Sequence, residues 1–287
     1  MTIDRSSWWW RKGRPLLASA LVLLAAGVVL QPLQDSAWNG TRSHLPELDL
    51  NDLGDNLGQG IVLGVLGGFR SIIADFVWLR GYVFWAQKTD PANTEACVRL
   101  AATLDPDNLM FWDDGERIIG YDIPDWHIYD KPQPTNAQMD QYIHDGGLRA
   151  IDFLDRGLKF QPNNYRLLYD QAMIYYNRLN DLPKAAEKYR EAADNTNIPY
   201  LAARTYIRIL RRLGRDQEAY DYMKKFYPTL PNGVPDVQKG LMWGWIQGLE
   251  DALKIPQDKR MPQSMAPPGW NAKDYMDDFK ELSAPEQ

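Results

Sequence analysis

One pattern recurs along the middle of this sequence with a period of 34 or 35 residues. Each copy begins with a small residue, and the residues four and seven positions later would share its helical face. The three copies are Ala150, Leu154 and Gly157; Ala185, Tyr189 and Ala192; and Ala219, Met223 and Phe226. A fixed period in the thirties is typical of stacked helical hairpins, which bury their apolar faces against one another. The chain is therefore predicted to be all-α.

The stretch over 69–231 resembles the tetratricopeptide repeat (TPR) family. In such a unit, a small residue such as Ala185 lets two antiparallel helices approach closely, and large ones such as Tyr169 and Tyr176 fill the space between units. A proline such as Pro162 ends a unit, because proline cannot continue a helix. The resemblance implies a TPR-like solenoid of about four hairpins, over 75–108, 109–164, 165–198 and 199–231.

The second of these hairpins is too long. Trp112 precedes Ala150 by 38 residues, whereas the matching distance in the third hairpin is 16, so about 22 residues are inserted between its two helices. The insertion near 121–136 contains three prolines, which predict a loop rather than a long helix. Its aromatic residues either lie at a binding face, as long loops on repeat scaffolds often do, or fold back onto the hairpin. These residues are Trp126, His127 and Tyr129.

The N-terminus has the pattern of a membrane anchor. Residues 1–14 carry four basic side chains and one acid, and an uncharged apolar run follows over 15–33. A run of about 20 apolar residues crosses a bilayer as a helix, and the flanking charges place the basic tail in the cytoplasm. This predicts a single-pass inner-membrane protein whose remaining chain is periplasmic. A cleaved signal peptide is the alternative, although Asp35 stands where cleavage favours a small residue.

Two further segments flank the repeats. Residues 34–68 are predicted to form an extracytoplasmic spacer that ends in a glycine-rich stretch with Gly60 and Gly64. This stretch either packs against the first hairpin or touches the membrane. Residues 232–287 are predicted to hold a capping helix, within 236–254, and a proline-rich tail. The cap would cover the open face of the last hairpin.

Composition and motifs exclude several function classes. The net charge of −6 argues against nucleic-acid binding. The single cysteine, Cys97, allows no disulfide within the chain and is predicted to be buried. The three histidines lack metal-ligand spacing, and no catalytic or phosphate-binding motif is present. We therefore expect no enzyme, no cofactor and no bound metal.

A stripe of arginines marks the first helix of the fourth hairpin. Its members are Arg204, Arg208, Arg211 and Arg212. Their spacing places them on one helical face, which the TPR resemblance implies would line a concave groove. Arginine forks bind carboxylates, so the stripe predicts a protein or acidic-peptide partner. The alternative is that these arginines pair with Asp170, Glu187 or Glu191 of the neighbouring hairpin.

The sequence as a whole predicts a scaffold. We expect a membrane-anchored, extracytoplasmic TPR protein that mediates protein–protein interaction, as a subunit or assembly factor of a membrane complex. One alternative is a soluble exported TPR protein that binds peptides or assists secretion. Another is an enzyme's accessory domain, with the aromatic insertion lying over a pocket.

Overall fold

The computed structural model describes residues 68–88, 90–129, 133–196 and 199–271, and no β-strand occurs in these ranges. The predicted all-α class is confirmed for this part of the chain. Its α-helices are α1 (Arg70–Gln87), α2 (Pro91–Leu104), α3 (Leu109–Arg117), α4 (Ile123–Ile128), α5 (Asn136–Phe160), α6 (Tyr165–Asn177), α7 (Leu182–Asp194), α8 (Tyr200–Arg212), α9 (Asp216–Phe226) and α10 (Lys239–Ala252).

Local capping signals explain where several helices begin and end. The side chain of Asp90 accepts a hydrogen bond from the N–H of Asn93 at 3.0 Å and so caps α2. Thr135 and Gln138 form a reciprocal capping box at the start of α5. After α8, Gly214 has a φ of +70°, the left-handed conformation that ends many helices.

Small residues allow neighbouring helices to pack at short range. Ala150, Ala185 and Ala219, which begin the three repeated trios, each have 0% exposure. A Cβ added at Gly81 of α1 would lie 2.9 Å from the Cβ of Cys97 in α2, closer than side-chain carbons normally approach. The expected burial of Cys97 is confirmed, because the residue is 7% exposed.

Residues 109–128 form one unbroken helical stretch, which corrects the expectation that the inserted prolines exclude a long helix here. α3 passes into a π-helical turn over Ile118–Asp122, and α4 follows directly. In the π turn, the N–H of Ile123 reaches the carbonyl oxygen of Ile118, five residues back. Pro124 has no N–H to donate and disturbs an ordinary α-helix, and the wider turn accommodates it. The first part of the insertion, up to Ile128, therefore extends the helical stretch that begins at Leu109.

The last helix, α10, closes the C-terminal end of the array. Trp243 and Leu249 are at most 1% exposed and belong to a core cluster that extends back to α6. The chain after α10 folds back over it, and the indole N–H of Trp270 donates to the carbonyl of Gly240 at 2.9 Å. A helix is therefore present within the predicted range 236–254 as α10, and its role as the cap of a repeat array stays a prediction.

Several predicted segments lie outside the described residues. They are the basic tail (1–14), the membrane anchor (15–33), nearly all of the spacer (34–67), part of the insertion (130–132) and the end of the tail (272–287). Among the helices of the described ranges, none combines the length and apolar character needed to cross a bilayer.

Candidate functional site

A cleft of about 350 Å³ opens between α3, the π-helical turn and α6. We call it the α3–α6 cleft. It is lined by Asp113, Glu116 and Arg117 of α3, by Tyr121 and Asp122 of the π turn, and by Arg166, Asp170 and Met173 of α6. Four of these eight side chains are acids and two are arginines, so the walls carry more acidic than basic groups.

The π-helical turn contributes Tyr121 and Asp122 to the cleft, and both are held by other helices. Oδ2 of Asp122 accepts a hydrogen bond from the indole N–H of Trp85 in α1 at 2.7 Å. The guanidinium carbon of Arg178 lies 4.0 Å from the ring centroid of Tyr121, and Nδ2 of Asn177 donates to the tyrosine hydroxyl at 3.4 Å. Because π turns are frequent at functional sites, this one supports a role for the cleft.

Glu116 and Asp170 are the buried acids of the cleft, with 6% and 5% exposure. Burial penalises the charged carboxylate and the nearby charges of Asp170 and Asp113 add to the penalty, so the pKa of Glu116 rises to about 9. Burial and Asp113 likewise raise the pKa of Asp170 to about 8. Arg117 and Arg166 oppose the rise in the pKa of Glu116 without cancelling it. Both acids therefore hold a proton at neutral pH.

Arg166 connects the acids of the cleft. Its Nε and Nη2 donate to the two carboxylate oxygens of Asp113 at 2.8 and 3.1 Å, a bidentate pairing. Its Nε lies 3.7 Å from Oδ1 of Asp170, which is too far for a hydrogen bond. Oδ2 of Asp170 is enclosed and accepts from no donor among the described residues. When protonated, Asp170 can instead donate to Asp113, so its burial depends on its own proton.

The protonation of Glu116 and Asp170 determines which ligands the cleft can bind. An entering cation favours ionised carboxylates, so Glu116 and Asp170 would release protons as it binds. Within the described ranges, no group of three or more His, Cys, Asp and Glu side chains is arranged to hold a metal ion. An organic cation, such as a lysine ammonium or an arginine guanidinium, suits the acidic and aromatic lining.

The four arginines predicted to line a groove all lie on α8, and none lines the α3–α6 cleft. Nη1 of Arg204 donates to the carbonyl oxygen of Asp236 at 2.6 Å, and burial lowers the pKa of Arg204. Arg208 is exposed. Asp170, an alternative partner predicted for this stripe, lies beside Arg166 in the cleft.

The other two arginines of the stripe also contact their own chain. The side chain of Arg211 is 7% exposed, and its Nε lies 3.4 Å from a carboxylate oxygen of Asp216. Nη1 of Arg212 donates to the hydroxyl of Tyr176 in α6. These contacts give Arg204, Arg211 and Arg212 a structural role, and the binding of an acidic partner by the stripe stays a prediction.

The predicted aromatic residues of the insertion lie on α4 and directly after it. Trp126 and His127 are half-buried, and the ring of His127 stacks on Tyr142 of α5 with 5.0 Å between centroids. Tyr129 is 78% exposed. The histidine thus folds back onto α5, while the tyrosine is exposed at the surface.

Glu116 and Asp170 are not among the sequence-predicted site residues. A signal for Glu116 is present, because the acid stands four residues after Trp112 and three before Ile119, next to apolar residues of the same helical face. Asp170 likewise lies among apolar residues of α6. A charged residue on an apolar face has to be paired, protonated or bound by a ligand.

No family model matches this sequence, and neither does a curated protein or a solved structure. The roles of Glu116, Asp170 and Arg166 therefore follow from geometry alone. That geometry is a cleft with two buried acids beside one bidentate ion pair.

Proposed function

We propose that this protein is a membrane-anchored, extracytoplasmic scaffold of TPR-type hairpins that holds a protein partner, as a subunit or assembly factor of a membrane complex. The bounds of α6–α7 and α8–α9 support the repeat assignment, since they match the predicted units over 165–198 and 199–231. The buried alanines of the repeated trios support it too. The anchor and the periplasmic location rest on the charge asymmetry around 15–33.

The α3–α6 cleft is the observation that carries the binding role. In a stack of hairpins the first helices of successive units line one face, and α3 and α6 begin the second and third predicted units. Keeping Glu116 and Asp170 buried lowers stability, because the unfolded chain would release their protons at neutral pH. Apolar side chains of similar volume would avoid this cost. Residues that lower the stability of the fold in this way are typical of functional sites.

The acidic lining selects the chemical class of ligand. We expect a lysine or arginine side chain of the partner to enter the cleft and to pair with Glu116 and Asp170. An acidic peptide would gain no such pairing from the protonated Glu116 and Asp170, and it suits the stripe on α8 instead. Binding in the cleft should release protons, because the bound cation lowers the pKa of both acids.

Calorimetry on the full chain in mild detergent tests this ligand class. The probes are acetyl-lysine amide and its uncharged analogue acetyl-norleucine amide. We expect only the lysine probe to bind, with proton release, and binding should fall more than about tenfold in Glu116→Gln/Asp170→Asn, which keeps the shape but cannot ionise. The control Asp221→Asn/Asp258→Asn removes two exposed carboxylates and should bind normally. Equal binding of both probes, or normal binding by the cleft variant, would contradict the proposal.

The same double variant tests the scaffold role. Proteins retained by the wild-type chain from gently solubilised membranes should be lost from Glu116→Gln/Asp170→Asn and kept by Asp221→Asn/Asp258→Asn. Retention by both variants would assign partner binding to another surface, with the arginine stripe on α8 as the next candidate.

A second candidate function is acid–base chemistry at Glu116. A carboxyl group with a pKa of about 9 keeps a proton that it can donate near neutral pH. This would make the chain an enzyme or an accessory domain, contrary to the sequence-based expectation. A structure with bound ligand separates the two functions. Partner binding places a cationic nitrogen within about 3 Å of Glu116, whereas acid catalysis places a leaving-group oxygen there.

A further inference from the structure

A row of apolar side chains lies exposed along the outer face of α1. Its members and their exposed fractions are Phe69 (58%), Ile72 (52%), Phe76 (64%), Leu79 (58%) and Val83 (50%). We call this row the α1 seam. The inner face of the same helix packs on α2 through buried residues that include Ala74, Val77 and Gly81. The seam is therefore not needed for the packing of α1 against its own hairpin.

The spacing of the seam fits one further helix. Its members follow at steps of three, four, three and four residues, which is the 3.5-residue repeat of a two-helix coiled coil. Tyr82, at a flanking position, is also 53% exposed and widens the apolar row on one side. The five seam members keep the a and d spacing of a helix-pairing seam. α1 has 18 residues and is about 27 Å long, enough for two heptads of such a pairing. A membrane surface instead favours a wide apolar face bordered by basic residues.

Two exposed charges flank the seam on opposite sides. Asp75 precedes Phe76, and Arg80 follows Leu79. Neither of them forms an ion pair with another described residue. In a coiled coil these are the flanking positions whose charges set partner choice and orientation.

These charges favour a parallel pair of identical helices. In a parallel pair, the residue directly before a core position lies opposite the residue five positions later in the other helix. Asp75 directly precedes the core residue Phe76, so it lies opposite Arg80 of the second copy. Two-fold symmetry forms this pair twice. In an antiparallel pair, flanking positions of the same kind meet, which places Asp75 against Asp75 or Tyr82 of the second copy, depending on register.

We propose that a second copy of this chain covers the α1 seam, in a parallel α1–α1 pair with Asp75 of each copy against Arg80 of the other. The parallel direction brings the N-terminal ends of both α1 helices together, so chain segments that precede them can enter one membrane. The pairing involves only the 18 residues of α1 from each copy, so we expect a small interface and reversible pairing.

Disulfide trapping in the full chain tests the pairing directly. In a parallel pair Leu79 faces Leu79 of the second copy, so Leu79→Cys, made with Cys97→Ser, should form covalent dimers when membranes are oxidised with copper phenanthroline. Leu201→Cys is the matched control, because Leu201 is equally apolar and 54% exposed on α8. Dimers of Leu79→Cys alone support the proposal. If this variant stays monomeric, the seam is covered by lipid, by residues 58–67 of the same chain or by another protein, and the proposal is overturned.

Charge and core variants sharpen the test. Phe76→Glu should abolish trapping at Leu79→Cys, whereas Leu148→Glu, at a residue that is 50% exposed on α5, should not. Asp75→Arg should weaken dimerisation roughly fivefold, and Asp75→Arg/Arg80→Asp should restore it. Trapping that survives Phe76→Glu, or a double charge reversal that fails to rescue, would contradict the parallel pair. Circular dichroism on each variant separates lost pairing from lost fold.

Discussion

Two glutamates are buried in different regions of this protein, and they are satisfied in different ways. Glu250 of the C-terminal cap is 2% exposed and accepts hydrogen bonds from the hydroxyl of Tyr220 at 3.0 Å and the N–H of Met261 at 2.7 Å. Glu116 of the α3–α6 cleft is 6% exposed, and no described residue donates to it. The supply of donors decides whether a buried carboxyl group stabilises the fold or lowers its stability.

The surroundings of the two glutamates indicate different roles for the C-terminal cap and the α3–α6 cleft. Through Glu250, the chain after α10 is fixed to α9 and α10, so the cap is complete in itself. Glu116 instead keeps a proton at the wall of an open cleft, and a cationic ligand would supply the missing donor. The contacts of Glu250 stabilise the first region, and we propose that the second region serves binding.

The largest expected effect is at the cap. Glu250→Ala leaves the Tyr220 hydroxyl and the Met261 N–H buried without an acceptor, so the free energy of unfolding should fall by about 2–4 kcal/mol. Urea unfolding of the full chain measures this loss. Glu187→Ala, at an exposed position of α7, is the control and should change stability by less than about 0.5 kcal/mol. A loss under about 1 kcal/mol for Glu250→Ala would remove the contrast between the regions.

At the cleft, replacing the buried glutamate is expected to raise the free energy of unfolding instead of lowering it. Glu116→Gln should raise the free energy of unfolding by about 1–3 kcal/mol near pH 8. The pKa of Glu116 is raised from 4.5 to about 9, so the native state holds a proton that the unfolded chain releases, and wild-type stability falls as pH rises through this window. The gain from the substitution should therefore shrink towards pH 5. Denaturant unfolding at both pH values measures it.

A glutamate-to-glutamine substitution at Glu250 of the cap is the matched control for the gain in stability expected of Glu116→Gln. Glu250→Gln should bring no gain in stability at either pH, because an amide oxygen accepts the same two hydrogen bonds that now end on Oε1 of Glu250. A destabilising Glu116→Gln near pH 8 would show that its carboxylate is ionised and satisfied in the native state.

A smaller effect is expected at Arg166. Arg166→Met removes the bidentate pair with Asp113 and should cost about 1–2 kcal/mol. It should also raise the pKa of Asp170 further, because Arg166 lowers that pKa at present. A double-mutant cycle with Asp113→Asn isolates the pair, and Arg156→Met, at an exposed arginine of α5, is the control. A coupling energy near zero would show that the ion pair does not hold the cleft together.

The smallest effects are expected in the arginine stripe on α8. Arg204→Ala should cost about 1 kcal/mol, because Arg204 donates to the carbonyl oxygens of Asp236 and Val237. Arg156→Ala, at an exposed arginine of α5, should stay within about 0.5 kcal/mol. Thermal unfolding of both variants checks the difference. Equal effects would mean that Arg204 is no more structural than an exposed surface arginine.

The sequence predicts the all-α class and the burial of the repeated small residues well, because these signals are local. The period of the small residues picks out Ala185 and Ala219, which are fully buried, and prolines such as Pro162 mark the ends of predicted units. The helix in the insertion is not predicted from the sequence, because a proline such as Pro124 normally interrupts a helix. A π turn compensates for it, and such a turn depends on hydrogen bonds that no residue pattern specifies.

The cleft was not predictable from local pattern. Glu116 and Asp170 stand 54 residues apart, and their pKa values depend on the packing of α3 against α6. Arginine spacing on α8 suggested a binding face, but the contacts of Arg204 and Arg212 are made with segments distant in sequence. Helical spacing shows which side chains share a face, whereas tertiary packing decides which of them stay available.

A direct NMR titration of the Glu116 carboxyl carbon tests the central claim that the α3–α6 cleft holds protonated acids. The full chain is labelled with carbon-13 glutamate, and Glu116→Gln identifies the signal. The predicted midpoint is a pKa of about 9, and acetyl-lysine amide should move it downwards. A midpoint at the ordinary value of 4.5 would contradict both the proton held in the cleft and the proposed cation site.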